Sequence, residues 1–196
     1  MKSLKTPIFV LTLALILFSC EKKPTYNGTL YDQPAKEFCL SGWAVGKEIK
    51  KCLSDFRGKI VLMFFGYTHC PDVCPTALQL MSKVVNSLTE EEKAKVQVVF
   101  ISVDPERDSP EIAHKYASYF GPGFIGLSGK VEDIKKVTKD YMAFYKKVEN
   151  SNTKEGYLVD HTAYIYLIDQ EGVLKLIYPS TKQKVDLIVE DIKKLL

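Results

Sequence analysis

The chain has 196 residues, of which 46% are apolar and 26% are charged. This composition suits one globular domain with a hydrophobic core, and it excludes a disordered chain, a collagen-like chain and a disulfide-dense miniprotein. The formal net charge of +3 at pH 7, with lysines and acids interspersed, is too small to indicate a nucleic-acid partner.

The first predicted element is an N-terminal secretory signal. Two lysines precede an apolar run over residues 8–18, which is shorter than the roughly 20 residues that span a bilayer comfortably. The cysteine that follows makes the segment resemble a bacterial lipoprotein signal, so we expect residues 1–19 to be removed, Cys20 to carry lipid and residues 20–36 to form a tether. The alternative is an uncleaved anchor with a chance cysteine. Both interpretations place the folded part outside the cytoplasm, and the first anchors it to a membrane on the periplasmic side.

The next segments predict a hairpin and a strand–helix–strand unit. Two short segments near residues 38–40 and 49–53 form the arms of the hairpin. Residues 60–65 are six apolar residues without alternation, which predicts a strand buried on both faces. Apolar residues at steps of three and four predict a helix over 76–88, and residues 96–103 predict a second buried strand.

The rest of the chain alternates helices and strands. We expect a helix from residues 108–111 to about 120, a short strand near 124–127, a helix over about 131–145, strands over 157–168 and 173–178, and a closing helix over 185–195. This order predicts a single thioredoxin-like α/β domain over residues 37–196.

Two cysteines lie in the loop between the first buried strand and its helix. Ligands of open α/β sheets gather at such strand ends. Cys70 and Cys74 each precede a proline, which disfavours helical geometry, so we expect residues 70–74 to form a loop with Cys74 as the N-cap and Pro75 as the first helical residue. Thiolates at a helix N-terminus suit a soft ion such as copper(I). The alternative is a structural disulfide that closes a small loop.

Four ordered segments resemble the Sco/SenC family of copper chaperones. They are GYTHCPDVCP at 66–75, VDPERDSPE at 103–111, GLSG at 126–129 and VDHT at 159–162. The resemblance covers about residue 37 to the C-terminus. It implies a thioredoxin-like fold with a central mixed sheet flanked by helices and an N-terminal β-hairpin. It also implies copper bound by Cys70, Cys74 and His161, and a role in assembling the binuclear copper centre of cytochrome c oxidase.

The resemblance gives His161 a role that its surroundings alone leave open. His161 stands at a strand entry where thioredoxin enzymes usually carry a cis-proline, and no proline occurs there. A neutral imidazole facing two thiolates completes a three-coordinate site that copper(I) tolerates. The alternative is a surface histidine or one with internal partners. We expect His69 to point away from Cys70 and His114 to face solvent.

Two further cysteines, Cys39 and Cys52, lie in the arms of the predicted hairpin. They could face each other and form a disulfide, or remain two separate buried thiols. For the loop pair, we expect a disulfide between Cys70 and Cys74 when the protein is oxidised.

The predicted function is that of a metallochaperone, not an enzyme, which delivers copper(I) to the copper-bearing subunit of cytochrome c oxidase. Binding of copper(II) stays open. Other expected partners are copper chaperones, thiol reductants and the membrane that holds the lipid. One alternative is a thiol–disulfide oxidoreductase that keeps the copper-ligating cysteines of the oxidase reduced with Cys70 and Cys74; the three-residue spacer argues against it. A peroxiredoxin-like peroxidase is disfavoured because Met63 and Tyr67 stand where that chemistry needs proline and threonine.

Overall fold

The computed structural model describes residues 24–150, 152–153 and 156–196. The predicted signal and the predicted lipidation site, Cys20, lie outside these residues. Within them, no helix has both the length and the apolar character needed to cross a membrane.

A six-stranded mixed sheet forms the centre of the fold. In spatial order its strands are β1 (Thr29–Pro34), β10 (Val173–Tyr178), β9 (Ile165–Ile168), β4 (Ile60–Gly66), β5 (Val96–Ser102) and β6 (Ile125–Leu127). The last three are parallel, whereas the first three run antiparallel to their neighbours. Every residue of β4 is buried, as its unbroken apolar run predicts.

Five α-helices accompany the sheet in the described residues: α1 (Val73–Asn86), α2 (Glu90–Ala94), α3 (Pro110–Phe120), α4 (Val131–Asp140) and α5 (Val185–Leu195). Helix α3 begins where the sequence predicts, because the Ser109 hydroxyl accepts a hydrogen bond from the backbone N–H of Ile112 and Pro110 occupies the first turn. Helix α1 contacts both α3 and α5. The predicted thioredoxin-like α/β fold is therefore confirmed.

Two hairpins lie outside the six-stranded sheet. The predicted N-terminal hairpin is present as β2 (Cys39–Ala44) and β3 (Lys47–Cys52). A second hairpin, which we did not predict, pairs β7 (Tyr145–Glu149) with β8 (Tyr157–His161).

The second hairpin corrects two predicted elements. The helix predicted over 131–145 ends at Asp140, because Met142 takes a left-handed φ of 56° and the N–H of Ala143 bonds back to the carbonyl of Thr138 at 2.8 Å. The strand predicted over 157–168 is two strands, since the chain leaves the hairpin after His161 and enters the main sheet as β9.

The predicted tether contains an ordered part. Residues 29–34 form β1 at the edge of the sheet, and the buried carboxylate of Asp191 on α5 fixes the chain just before it. That carboxylate accepts hydrogen bonds from the backbone N–H groups of Asn27 and Gly28 and from the Tyr178 hydroxyl, each at 2.9 Å. The folded part thus begins before residue 37.

Candidate metal centre

The two loop cysteines lie at the junction of β4 and α1. Neither forms a disulfide, and the side chain of Cys74 is fully buried. The helix begins two residues earlier than we predicted, because the N–H of Thr76 bonds to the carbonyl of Asp72 at 3.2 Å. Asp72 is therefore the N-cap, and Cys74 lies inside the first turn. This turn aims the backbone N–H of Cys74 at the sulfur of Cys70, 3.4 Å away.

The end of β8 brings the imidazole of His161 to this sulfur pair. Its Nε2 atom lies 3.2 Å from Sγ of Cys74, and one ligand atom from each of Cys70, Cys74 and His161 fits within 4.8 Å of the others. The Nδ1 atom lies 3.2 Å from the carbonyl oxygen of Thr162. When Nδ1–H donates to that oxygen, the lone pair of Nε2 is free to coordinate a metal ion.

Aromatic rings form the walls beside the imidazole. The rings of Phe64 and Tyr67 meet it edge-on, at centroid distances of 5.9 and 5.8 Å. Gly66 lies between these two residues in sequence, and a Cβ built on it would lie 2.8 Å from Sγ of Cys74. The missing side chain is therefore what admits the sulfur.

The pKa values of the two cysteines are shifted in opposite directions. A hydrogen bond from the Cys74 thiol, helped by His161 and by backbone N–H groups, lowers the pKa of Cys70 well below its ordinary value. Burial and the neighbouring Cys70 thiolate raise the pKa of Cys74. The pair thus shares one proton, with Cys70 as thiolate and Cys74 as thiol.

A buried carboxylate holds the chain that leads into the cysteine loop. Asp108 is fully buried and accepts hydrogen bonds from the Thr68 N–H at 2.9 Å, the Thr68 hydroxyl at 2.5 Å and the Ser102 hydroxyl at 2.6 Å. These contacts join the end of β5 and the loop after it to the loop that follows β4. The bonds of Asp108 to the cysteine loop were not predicted from the sequence.

The other two histidines lie outside the cluster. His69 is exposed, with Nδ1 3.1 Å from the Thr68 hydroxyl and 3.8 Å from the Asp108 carboxylate. His114 is half-buried on α3, with Nε2 3.5 Å from the Ser118 hydroxyl, whereas we predicted that it faces solvent.

Cys39 and Cys52 lie directly opposite each other in the β2–β3 hairpin. The structure joins their sulfurs at 1.99 Å, and neither sulfur belongs to the group formed by Cys70, Cys74 and His161.

Sequence reasoning missed several residues around the site. Arg107 packs on the rings of Tyr67 and Tyr157, and the Tyr67 ring contacts His161. No role at the metal centre was assigned to any of the three from the sequence. The signal that could have found two of them is their place in the quoted segments 66–75 and 103–111.

Comparisons with known proteins agree with this geometry. A family model described as SCO1/SenC matches residues 45–196. The SCO2-like protein of Rickettsia prowazekii is 42% identical over 116 residues, which are 59% of this chain and 56% of that protein. The chain thus spans about half the length of the curated relatives it matches.

Two solved structures share the fold over most of the described residues. Apo Sco1 from Thermus thermophilus aligns with a TM-score of 0.76 at 41% identity, over 88% of this chain and 98% of that one. Copper-bound ScoI from Bradyrhizobium japonicum aligns with a TM-score of 0.69 at 40% identity, over 83% of this chain and 99% of that one.

Proposed function

Because the chain belongs to the SCO1/SenC family, we propose that it is a metallochaperone that binds copper(I) and supplies it to the binuclear copper centre of cytochrome c oxidase. The observation that carries the proposal is the meeting of two sulfurs and one imidazole nitrogen within 4.8 Å, contributed by Cys70, Cys74 and His161. A relative with 40% identity binds copper, which supports the choice of metal.

The donor set itself favours copper(I). Two thiolates and an imidazole are soft or intermediate ligands, whereas magnesium and calcium require oxygen ligands. Structural zinc sites close with four protein ligands, and here three residues converge among those that the structure describes. Three ligands suffice for copper(I), and the small number of ligands suits an ion that must be passed on.

Binding requires one change of protonation at the site. Cys70 is already the thiolate, whereas Cys74 must lose its proton before its sulfur can coordinate the ion. His161 contributes Nε2 while Nδ1–H stays on the Thr162 carbonyl. Loading copper(I) at neutral pH therefore releases about one proton per ion.

The proposed setting is the outer face of a membrane. Cys20 would carry the lipid, and the acceptor would be the copper-bearing subunit of the oxidase, with other copper chaperones or thiol reductants as further partners. Support comes from the short apolar run before Cys20 and from membership of the family.

The direct test is copper(I) binding by the reduced protein in competition with a chromogenic chelator. We expect about one ion per chain, strong weakening in His161→Ala, and loss of binding in Cys74→Ser. His69→Ala is the matched control, because this imidazole neighbours Cys70 in sequence but is exposed and lies outside the cluster. Wild-type affinity in His161→Ala would refute the three-ligand site.

A second candidate function is reduction of a target disulfide, and the shared proton of the cysteine pair favours it. The Cys70 thiolate would attack the target disulfide to form a mixed disulfide, and Cys74, after losing its proton, would displace the target as a dithiol. The protein would end with a Cys70–Cys74 disulfide and need an external thiol reductant to recycle. His161→Ala separates the two functions, since disulfide reduction should persist in this variant while copper(I) binding is strongly weakened.

A further inference from the structure

The β7–β8 hairpin supplies His161, yet it is not a part of the six-stranded sheet. Tyr157, Val159 and His161 alternate along β8 and so share one face of the strand. Val159 on this face is buried. Whatever holds Tyr157 against the body of the protein therefore also fixes the distance between His161 and the sulfurs.

Arg107 and Asp104 together hold Tyr157. The Nε atom of Arg107 donates a hydrogen bond to the fully buried carboxylate of Asp104, which also accepts one from the Tyr157 hydroxyl at 3.0 Å. Its Nη1 atom donates to the Tyr157 carbonyl at 3.3 Å, and its guanidinium carbon lies 3.8 Å from the centroid of the Tyr157 ring. One side chain thus contacts both the backbone and the ring at the start of β8.

The same guanidinium also reaches the wall of the metal centre. Its carbon lies 5.6 Å from the centroid of the Tyr67 ring, and that ring meets the His161 imidazole edge-on. Arg107 is therefore connected to His161 by two routes, through Tyr157 along β8 and through Tyr67 across the cysteine loop.

The burial of Arg107 carries a cost. Its Nη2 atom is buried and has no hydrogen-bond partner among the described residues. A buried donor without an acceptor is unfavourable, and such groups in native proteins call for an explanation. The explanation here is that the guanidinium of Arg107 is stacked between two tyrosine rings while it is bonded to Asp104.

We propose that Arg107 is a positioning residue, which docks the β7–β8 hairpin and so keeps His161 within bonding reach of a metal ion on Cys70 and Cys74. The proposal rests on the proposed copper-binding function. Arg107 does not touch the metal, and the fraction of molecules with a docked hairpin sets the apparent affinity.

The test measures copper(I) affinity of the full-length protein and its variants by chelator competition. If Arg107→Gln leaves the hairpin docked in about a tenth of the molecules, the affinity falls about tenfold. In the His161→Ala background, Arg107→Gln should cause no further loss, because the imidazole that it positions is gone. In the metal-free protein, Arg107→Gln should also speed amide hydrogen exchange in β7 and β8.

Two further variants separate docking from other effects. Arg107→Lys keeps the positive charge but lacks the planar fork and the stacking surface, so it should bind copper(I) nearly as weakly as Arg107→Gln. Glu106→Gln is the control, because it removes the exposed 2.6 Å ion pair with Lys147 of the same hairpin and should leave the affinity unchanged. If Arg107→Gln does not fold, Tyr157→Leu removes the stacked ring from the other side and should give the same pattern.

Two results would overturn the proposal: equal weakening by Arg107→Gln with and without His161, or wild-type affinity in Arg107→Lys. A failure of the copper-binding function looks different. In that case the wild-type protein binds no copper(I), or His161→Ala binds it normally, while hydrogen exchange still reports whether Arg107 docks the hairpin.

Discussion

At Gly66 a single hydrogen atom in place of a side chain decides where the Cys74 sulfur can lie. A Cβ there would lie 2.8 Å from that sulfur and 2.9 Å from the rings of Phe64 and Phe100. All three neighbours are buried in close-packed surroundings and have little room to move. Glycine is thus required at position 66 by the space that its neighbours occupy. It is not required by backbone conformation, since the φ of Gly66 is not left-handed.

Substitution of Gly66 by alanine should therefore weaken copper(I) binding as well as stability. We expect the free energy of unfolding to fall by about 1–3 kcal/mol, as for other overpacked cores. The affinity should fall because the Cys74 sulfur is displaced from His161. Urea unfolding and chelator competition measure the two effects. Gly129→Ala is the control: its Cβ would lie 3.2 Å from the end of the Leu40 side chain and at ordinary contact distance from its other neighbours, so copper affinity should not change.

The unequal cysteines predict a selective alkylation pattern in the reduced, metal-free protein. The pKa of Cys70 is lowered from its ordinary value of 9.0 to about 4, so its thiolate fraction should hardly change between about pH 6 and pH 8. An ordinary thiol gains reactivity about tenfold per pH unit over this range. Iodoacetamide and peptide mass spectrometry should show a nearly flat rate at Cys70 and little labelling of the buried, protonated Cys74. A tenfold rise per pH unit at Cys70 would disprove the thiolate assignment.

At the scale of elements, the cysteine pair across β2 and β3 should stabilise its hairpin independently of the metal centre. The two residues are 13 apart in sequence, and closing a loop of this size is worth about 3 kcal/mol. The double variant Cys39→Ser/Cys52→Ser should lose about that much stability and keep its copper(I) affinity. With Cys70 and Cys74 replaced by serine, the denatured protein should show two fewer free thiols without a reductant than with one, and an equal count would exclude the disulfide.

The elements that sequence patterns predicted well are those with one dominant signal. The apolar runs of β4 and β5 and the proline-containing start of α3 fix their elements locally. The β7–β8 hairpin has no such signal, because β7 has one half-buried residue followed by four exposed ones. Its strand character depends on pairing with β8, a contact that no local pattern records.

The candidate site also has one part that local sequence patterns predict and another part that they do not. The position of Cys70 and Cys74 follows from the strand and helix on either side of them, so local reasoning finds it. His161 is 87 residues from Cys74, and only the resemblance connected the two before the structure was known. The network of Asp104, Arg107 and Tyr157 joins the loop after β5 to the start of β8 and was not predicted.

At the scale of the whole molecule, copper(I) would act as a crosslink between the β4–α1 junction and the β7–β8 hairpin. An ion that binds only the folded state adds stability as its concentration rises above the dissociation constant. At a hundredfold excess over that constant the gain is about 2.7 kcal/mol, which raises the melting temperature of a domain of this size by roughly 5–10 °C. Thiolates of the unfolded chain also bind copper(I), so the observed rise should lie at the lower end.

Thermal unfolding and hydrogen exchange together test this crosslink. Copper(I) should raise the melting temperature of the reduced wild-type protein and slow amide exchange in both β7 and β8, because the bound ion holds His161 against the sulfurs. His161→Ala should retain a smaller rise from its two sulfurs but lose the protection of the hairpin, since nothing then ties β8 to the ion. Hairpin protection that persists in His161→Ala would mean that copper(I) tightens the whole fold without joining these two elements.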